Sequence, residues 1–302
     1  MPDLLTLHDL RPTDLEVLIR RAAAWKASPL RRAPLKGKVI GLLFEKPSTR
    51  TRVAFETAIV QLGGFPVAFS RSEIQLTRGE TIADTARVLS SYMGGLIIRT
   101  SAHRIVEEWA RWATIPVING LTDLHHPTQA LADLFTMRTR RGRLRRARVA
   151  YIGDGNNVAN SLIQGAVMTG MHLIVACPMG YEPNEAVFRT ARLEAKRTGA
   201  QIEVVRDPEE AAAGADFLYT DVWTSMGRET EQEARRRAFR GYQLSERLLK
   251  VAQPEALVMH CLPAHRGEEI TEDVLEGKAS IVFEQAANRL PMSKAILEWA
   301  LR

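Results

Sequence analysis

At 302 residues the chain is longer than one hydrophobic core ordinarily supports, so two domains of similar size are expected. Hydrophobic residues at 45% and charged residues at 25% exclude a disordered or fibrous chain, and no apolar run approaches the roughly 18–20 residues of a membrane span. The formal charge of +6 raises nucleic acid as a partner, but the basic residues are scattered. Their densest run (Arg138, Arg140, Arg141, Arg143, Arg145, Arg146, Arg148) reads as a solvated helix end and linker.

Taken in chain order, short apolar runs alternate with longer helical patterns. In the first half the runs fall at 39–44, 65–69, 96–98 and 115–118; in the second at 148–152, 172–177, 202–205, 217–219, 257–260 and 280–283. Near-continuous apolar runs separated by helices predict parallel strands buried on both faces, hence an α/β fold of two doubly wound domains. After Arg52, the residues Phe55, Ala58, Ile59 and Leu62 repeat at helical spacing until Gly63-Gly64 stops the helix. Between Asn184 and Thr198 a helix opens on Glu185 and ends on Lys196-Arg197 before Gly199. A helix-like stretch at 126–141 is the expected domain boundary, and a last helix at 286–301 is expected to return to the first domain. Internal repeats and low-complexity segments are not evident.

In doubly wound sheets, ligands bind beyond the carboxyl ends of the strands, and those ends are unusually polar in this chain. Ser48-Thr49-Arg50-Thr51-Arg52 follows a buried strand and a proline and opens a helix. Free backbone N–H groups, hydroxyls and guanidinium forks there suit an anion, although no Walker motif is present. Arg99 ends the run 96–98, where an unpaired charge is costly unless it meets an anion. His126 and Gln129 share one face of the first turn of a helix with Pro127 at N1, an arrangement fit to stabilise a carbonyl oxygen gaining charge. Adjacent His125-His126, without carboxylate or cysteine spacing, argues against a metal.

In the second half, Gly153-Asp154-Gly155-Asn156-Asn157-Val158 looks at first like a dinucleotide turn. Its third glycine is replaced by Val158, and no acidic residue closes the next strand, so a nicotinamide cofactor is not expected. Asn160 follows on the next helix, placed to touch a carboxylate. Asp221 ends another strand, where it could hold an ammonium group, and a Gly-containing segment with Ser225 and Met226 follows. His260-Cys261-Leu262-Pro263 puts a thiol at a strand mouth. Adjacent strand residues face opposite sides, so His260 is a poor base for Cys261, and binding or proton handling is preferred to covalent catalysis. Cys177 and Cys261, the only cysteines, are too few for a disulfide framework. With no leader pattern after Met1, a cytoplasmic protein is expected.

These residues add up to a resemblance. Ser-Thr-Arg-Thr-Arg at 48–52, Arg99, His-Pro-Thr-Gln at 126–129, Asp-Val-Trp-Thr-Ser-Met-Gly at 221–227 and His-Cys-Leu-Pro at 260–263 resemble the ornithine branch of the aspartate/ornithine carbamoyltransferase family, in order and over almost the whole chain. Thr128 stands where many members carry cysteine. The resemblance implies carbamoyl transfer from carbamoyl phosphate to the side-chain amine of ornithine, a step towards arginine, with no metal and no organic cofactor. It implies a carbamoyl phosphate domain at 1–135 with 286–302 returning to it, and an ornithine domain at 136–285. Ser48, Thr49, Arg50 and Thr51 would hold the phosphate, Arg99 would bridge phosphate and carbamoyl oxygen, His126, Gln129 and Arg289 would hold the carbamoyl group, and Asn160, Asp221, Ser225 and Met226 ornithine. Cys261 and Leu262 would lie near the reacting amine and the carbamoyl group. Gln75 resembles the residue that reaches into a neighbouring subunit's site, which implies a homotrimer or a multiple of trimers with shared active sites. The alternatives are another amine acceptor such as putrescine and, from a different class, a non-catalytic dinucleotide or nucleic-acid binder.

Overall fold

Helix α1 (Pro12–Ala27) opens with proline at its first turn and buries Leu15, Leu18, Ile19, Ala22 and Trp25, spaced along one stripe. It is the first α-helix of a computed structural model that describes residues 2–28, 32–224 and 229–301. Strand β1 (Val39–Phe44), helix α2 (Thr49–Gln61), strand β2 (Phe65–Phe69), helix α3 (Ile82–Tyr92), strand β3 (Gly95–Arg99), helix α4 (His103–Trp112), strand β4 (Val117–Leu121) and helix α5 (Pro127–Arg141) follow. The four strands form one parallel sheet ordered β2-β1-β3-β4. Burial follows position in that sheet. Central β3 is buried throughout, whereas edge strand β2 leaves Phe65 and Val67 on its exposed side.

The second sheet takes β5 (Arg148–Ile152), β6 (His172–Ala176), β7 (Gln201–Val205), β8 (Phe217–Thr220) and β9 (Leu257–His260), all parallel and ordered β7-β6-β5-β8-β9. Helices α6 (Asn157–Thr169), α7 (Glu185–Thr198), α8 (Pro208–Ala212), α9 (Gln232–Ala238), α10 (Glu246–Val251), α11 (Glu272–Leu275) and α12 (Val282–Ala287) connect these strands or follow them. Residue contacts divide the chain into Met1–Phe135 with Ala287–Arg302, and Thr136–Ala286. The last helix, α13 (Arg289–Ala300), belongs to the first unit, where it packs on α1 and α2. Trp25 Nε1 donates to Glu298 Oε2 at 3.1 Å, and the Lys38 ammonium donates to the Leu301 carbonyl.

Three expectations are corrected. The run 280–283 is not a strand: Ser280 makes a single bridge to Val258, and α12 begins at Val282. Three apolar residues after a serine cannot distinguish a strand from a buried helical turn. The helix expected over 286–301 is two helices that meet at Asn288. The strand expected at 115–118 starts at Val117 and runs on through Asn119 and Gly120, because the chain is held there from both sides. Leu4 donates to the Val117 carbonyl and accepts from Asn119 N, and this single bridge covers the outer edge of β4.

The arginine run explains itself in the second unit. Arg138, Arg140 and Arg141 occupy the last turn of α5, and Arg145 lies beside Gly170 and Gly199, the residues that end α6 and α7. Helix carboxyl ends carry partial negative charge, and cations there are stabilising.

Candidate active site

In the sheet ordered β2-β1-β3-β4 the strand order reverses between β1 and β3, which is where open α/β sheets bind ligands. Ser48 stands at the N-cap of α2, with extended backbone, yet its hydroxyl makes no capping bond. The α2 N-terminus therefore offers N–H groups and hydroxyls outward, with Thr51 buried and Arg50 partly so. Arg52, by contrast, pairs with Glu56 along the surface of the helix, Nε to Oε1 at 2.8 Å.

Arg99 leaves β3 at a bulge: Ile98 is level with Asn119 but Arg99 with Leu121. Such an offset re-aims a side chain, and Gly120 permits it, since a Cβ there would meet Ile97 and the Ile98 carbonyl at 3.3 Å. Arg99 is only 7% exposed, and its Nε has no hydrogen-bond partner among the described residues. Burial, reinforced by the charges of Arg289 and Arg50, pushes it down to about 10. His126, also buried, is held well below its usual 6.5 by desolvation and then by Arg289, Arg99 and Arg50. Three guanidinium groups crowd one imidazole, and an anion is the partner that relieves them.

Arg289, 5% exposed at the start of α13, donates from Nη2 to Thr51 Oγ1 at 3.0 Å and from Nη1 to Gln129 Oε1. Gln129 donates in turn from Nε2 to Asp133 Oδ1 at 2.8 Å. Thr128 Oγ1 lies 3.4 Å from His126 Nδ1. The first unit thus brings together Thr51, Arg99, His126, Gln129 and Arg289, with Arg50 close enough for its charge to act on Arg99 and His126. Ser48 and Thr49 stand at the same helix start. Gln75 does not join them: it is exposed on the segment between β2 and α3, while its neighbours Ile74 and Leu76 pack on the core.

The second sheet reverses its order between β5 and β8, and the polar residues gather at those two mouths and at β9. Asp221, 6% exposed, accepts from Asn156 Nδ2 at 2.7 Å and, through Oδ1, from Val222 N and the Cys261 thiol, each at 2.8 Å. The Asp221 carboxylate is therefore oriented at both oxygens. Asn160 is buried, and its Oδ1 accepts from Asn184 N at 3.0 Å, which ties the start of α6 to the cap of α7. Ser225 and Met226 lie outside the described residues.

The glycine turn is filled by the chain itself. A Cβ on Gly155 would come within 2.2 Å of Pro183 N and 2.3 Å of Glu182 C, and Gly155 N donates to the Tyr181 carbonyl at 2.8 Å. The close approach that a pyrophosphate would need is taken by residues 181–183. Asp221, His260 and Cys261 each present a ligand-type atom within 4.8 Å of the others. All three already hold protein hydrogen bonds, since His260 Nε2 lies 3.0 Å from Glu269 Oε1 and its Nδ1 accepts from Leu262 N at 2.9 Å.

Sequence reasoning missed Asn156, whose Oδ1 caps α6 while its Nδ2 holds Asp221. Its place before a helix was a visible cap signal. It also missed Arg235, which donates from one nitrogen to Asp154 Oδ2 at 2.9 Å and to the Trp223 carbonyl at 2.8 Å, and Glu269, the buried partner of His260. Neither carries a local signal, because Arg235 sits in a run of three arginines and Glu269 in a run of polar residues.

Two family models divide the chain between them. The carbamoyl-P binding domain of aspartate/ornithine carbamoyltransferase matches residues 2–139, and the Asp/Orn binding domain of the same family matches residues 145–300. An ornithine carbamoyltransferase of Symbiobacterium thermophilum is 52% identical over 298 residues, 98% of this chain and 96% of that protein. The crystal structure of ornithine carbamoyltransferase from Gloeobacter violaceus superposes with a TM-score of 0.91 at 48% identity, covering 100% of this chain and 99% of that one. The enzyme from Pyrococcus furiosus gives 0.94 at 46% identity, covering 98% and 96%. Both halves match, in order, and at about half identity along nearly the full length: the chain belongs to the aspartate/ornithine carbamoyltransferase family.

Proposed function

We propose that the chain transfers the carbamoyl group of carbamoyl phosphate to the side-chain amine of L-ornithine, giving L-citrulline and phosphate. The observation that carries this reading is Arg99, buried, with Nε unpartnered among the described residues and under the charges of Arg50 at the start of α2 and Arg289 at the start of α13, in a chain whose relatives are ornithine carbamoyltransferases. Ser48, Thr49, Arg50 and Thr51 hold the phosphate, and Arg99 spans phosphate and carbamoyl oxygen. His126, Gln129 and Arg289 hold the carbamoyl group. Asp221 and Asn160, with Ser225 and Met226, hold the amino-acid end of ornithine, and Cys261 and Leu262 lie by its amine and by the carbamoyl group.

The neutral amine attacks the carbamoyl carbon, the carbon–oxygen bond to phosphate breaks, and the proton shed by the amine leaves on the phosphate. Oxygen charge that builds up in between is met by Thr51, Arg99 and His126. His126 acts uncharged, since burial and three arginines hold its pKa well below 6.5. The reaction as written uses no metal or organic cofactor.

The assembly belongs to the same proposal: a homotrimer, or a multiple of trimers, in which Gln75 completes a neighbour's site. Support comes from the first unit's exposed apolar residues, Val53 and Val60 on α2, Phe65 and Val67 on β2, and Val88 and Tyr92 on α3. Each pair falls on one face of its own element by helical or strand spacing.

Citrulline formation measured with ornithine, putrescine and lysine in competition tests the function. Saturable product with ornithine alone is expected. Equal use of putrescine would sink the acceptor assignment, because a diamine has no α-carboxylate for Asn160 to meet.

A further inference from the structure

Behind the thiol at the mouth of β9 lies a buried pair that the reaction as written does not use. His260 and Glu269 are both 0% exposed. His260 Nδ1 accepts the Leu262 N–H at 2.9 Å, so the ring's own N–H is on Nε2, donated to Glu269 Oε1 at 3.0 Å. The same oxygen accepts His265 N at 2.6 Å, which anchors the carboxylate to the far end of the turn. The turn needs holding: Leu262 has φ 59, a left-handed conformation unfavourable for a branched side chain. Its neighbour Cys261 points its thiol at Asp221 Oδ1, and His260 N is fixed by Gln285 Oε1 at 2.9 Å.

We propose that Glu269 and His260 are positioning residues for the acceptor side of the reaction. Glu269 selects the imidazole tautomer whose Nδ1 lone pair pins the Leu262 amide, and the pinned turn aims the Cys261 thiol at Asp221. The proposal rests on the ornithine reading of Asp221 and Cys261, and it assigns the buried carboxylate a role in acceptor binding although it touches no substrate. Without Glu269 the Nε2–H would be buried unsatisfied, the ring would turn or change tautomer, and Leu262 N would lose its acceptor.

The test separates Michaelis constants. Glu269→Ala is expected to raise KM for ornithine about tenfold while KM for carbamoyl phosphate stays within about twofold, and Glu269→Gln, which keeps an acceptor, is expected to restore both. Alkylation of Cys261 by iodoacetamide should be several-fold faster in Glu269→Ala than in the native enzyme or Glu269→Gln, Cys177 being buried and unreactive. If Glu269→Ala does not fold, two ring replacements decide. His260→Gln keeps a group that reaches Glu269 and abandons the Leu262 amide, whereas His260→Asn keeps an acceptor near that amide. The proposal expects His260→Gln to impair ornithine use more than His260→Asn; equal effects, or a folded Glu269→Ala with native KM and native alkylation, overturn it. Failure of the native enzyme to form citrulline would instead refute the acceptor reading, and the alkylation contrast would then decide the positioning role alone.

Discussion

Single side chains in this protein are explained by the charge around them. Arg99 and His126 are buried polar groups at strand ends, and each feels the positive charge of Arg50 and Arg289, which an anion would offset. Arg50→Gly should lower kcat/KM by about three orders of magnitude with little change in thermal unfolding, because a phosphate-binding charge is lost and no core contact. Near-normal turnover in that variant would refute the phosphate assignment. The neighbouring His125 makes a stability prediction. Burial, with the charges of His103 and His8, pushes it down to about 3. A histidine whose folded pKa is depressed takes up its proton on unfolding. Its contribution to stability is complete above the unfolded value of about 6.5 and is lost as pH falls from there towards the folded value. Melting temperature should therefore decline from about pH 7 to about pH 4, and His125→Gln should flatten that decline. An unchanged slope would show that other groups govern the acid limb.

Elements explain why a familiar-looking motif has a different use. The turn from β5 into α6 has the glycines of a dinucleotide loop, but Gly155 makes room for Glu182 and Pro183. Gly155→Ala should destabilise the protein by about 3 kcal/mol, since the added methyl meets backbone that cannot swing aside. A urea midpoint matching the native one would mean the 181–183 segment yields easily. The β8 and β9 mouths show the same dependence on local shape. The Asp221 carboxylate is oriented by Asn156, which caps the adjacent helix, and by Cys261, which follows the neighbouring strand, residues 65 and 40 positions away in sequence. Run lengths and turn residues made most strands legible, with β4 displaced by two residues at its start and three at its end. The segment 280–283 was not legible, because it makes one bridge before turning helical.

For the whole molecule, the assembly prediction is the sharpest. Replacing Val60 and Tyr92 with aspartate puts charge on exposed apolar faces, 60% and 70% accessible in the isolated chain. Light scattering should then give monomer mass, with citrulline formation lost; a trimer that survives the double variant would exclude these faces as its interface. By itself the sequence determined the α/β class and the helices with clear caps, because these depend on periodicity and capping within a few positions. Only the tertiary structure decided the strand orders, and with them which two mouths in each sheet stand side by side. It also decided that α13 returns Arg289 to Thr51 and Gln129, and that His260 Nε2 pairs with Glu269. Parallel strands joined by crossovers can be ordered in several ways with the same local pattern, so the choice is made by packing between residues far apart in the chain, which no window of sequence contains.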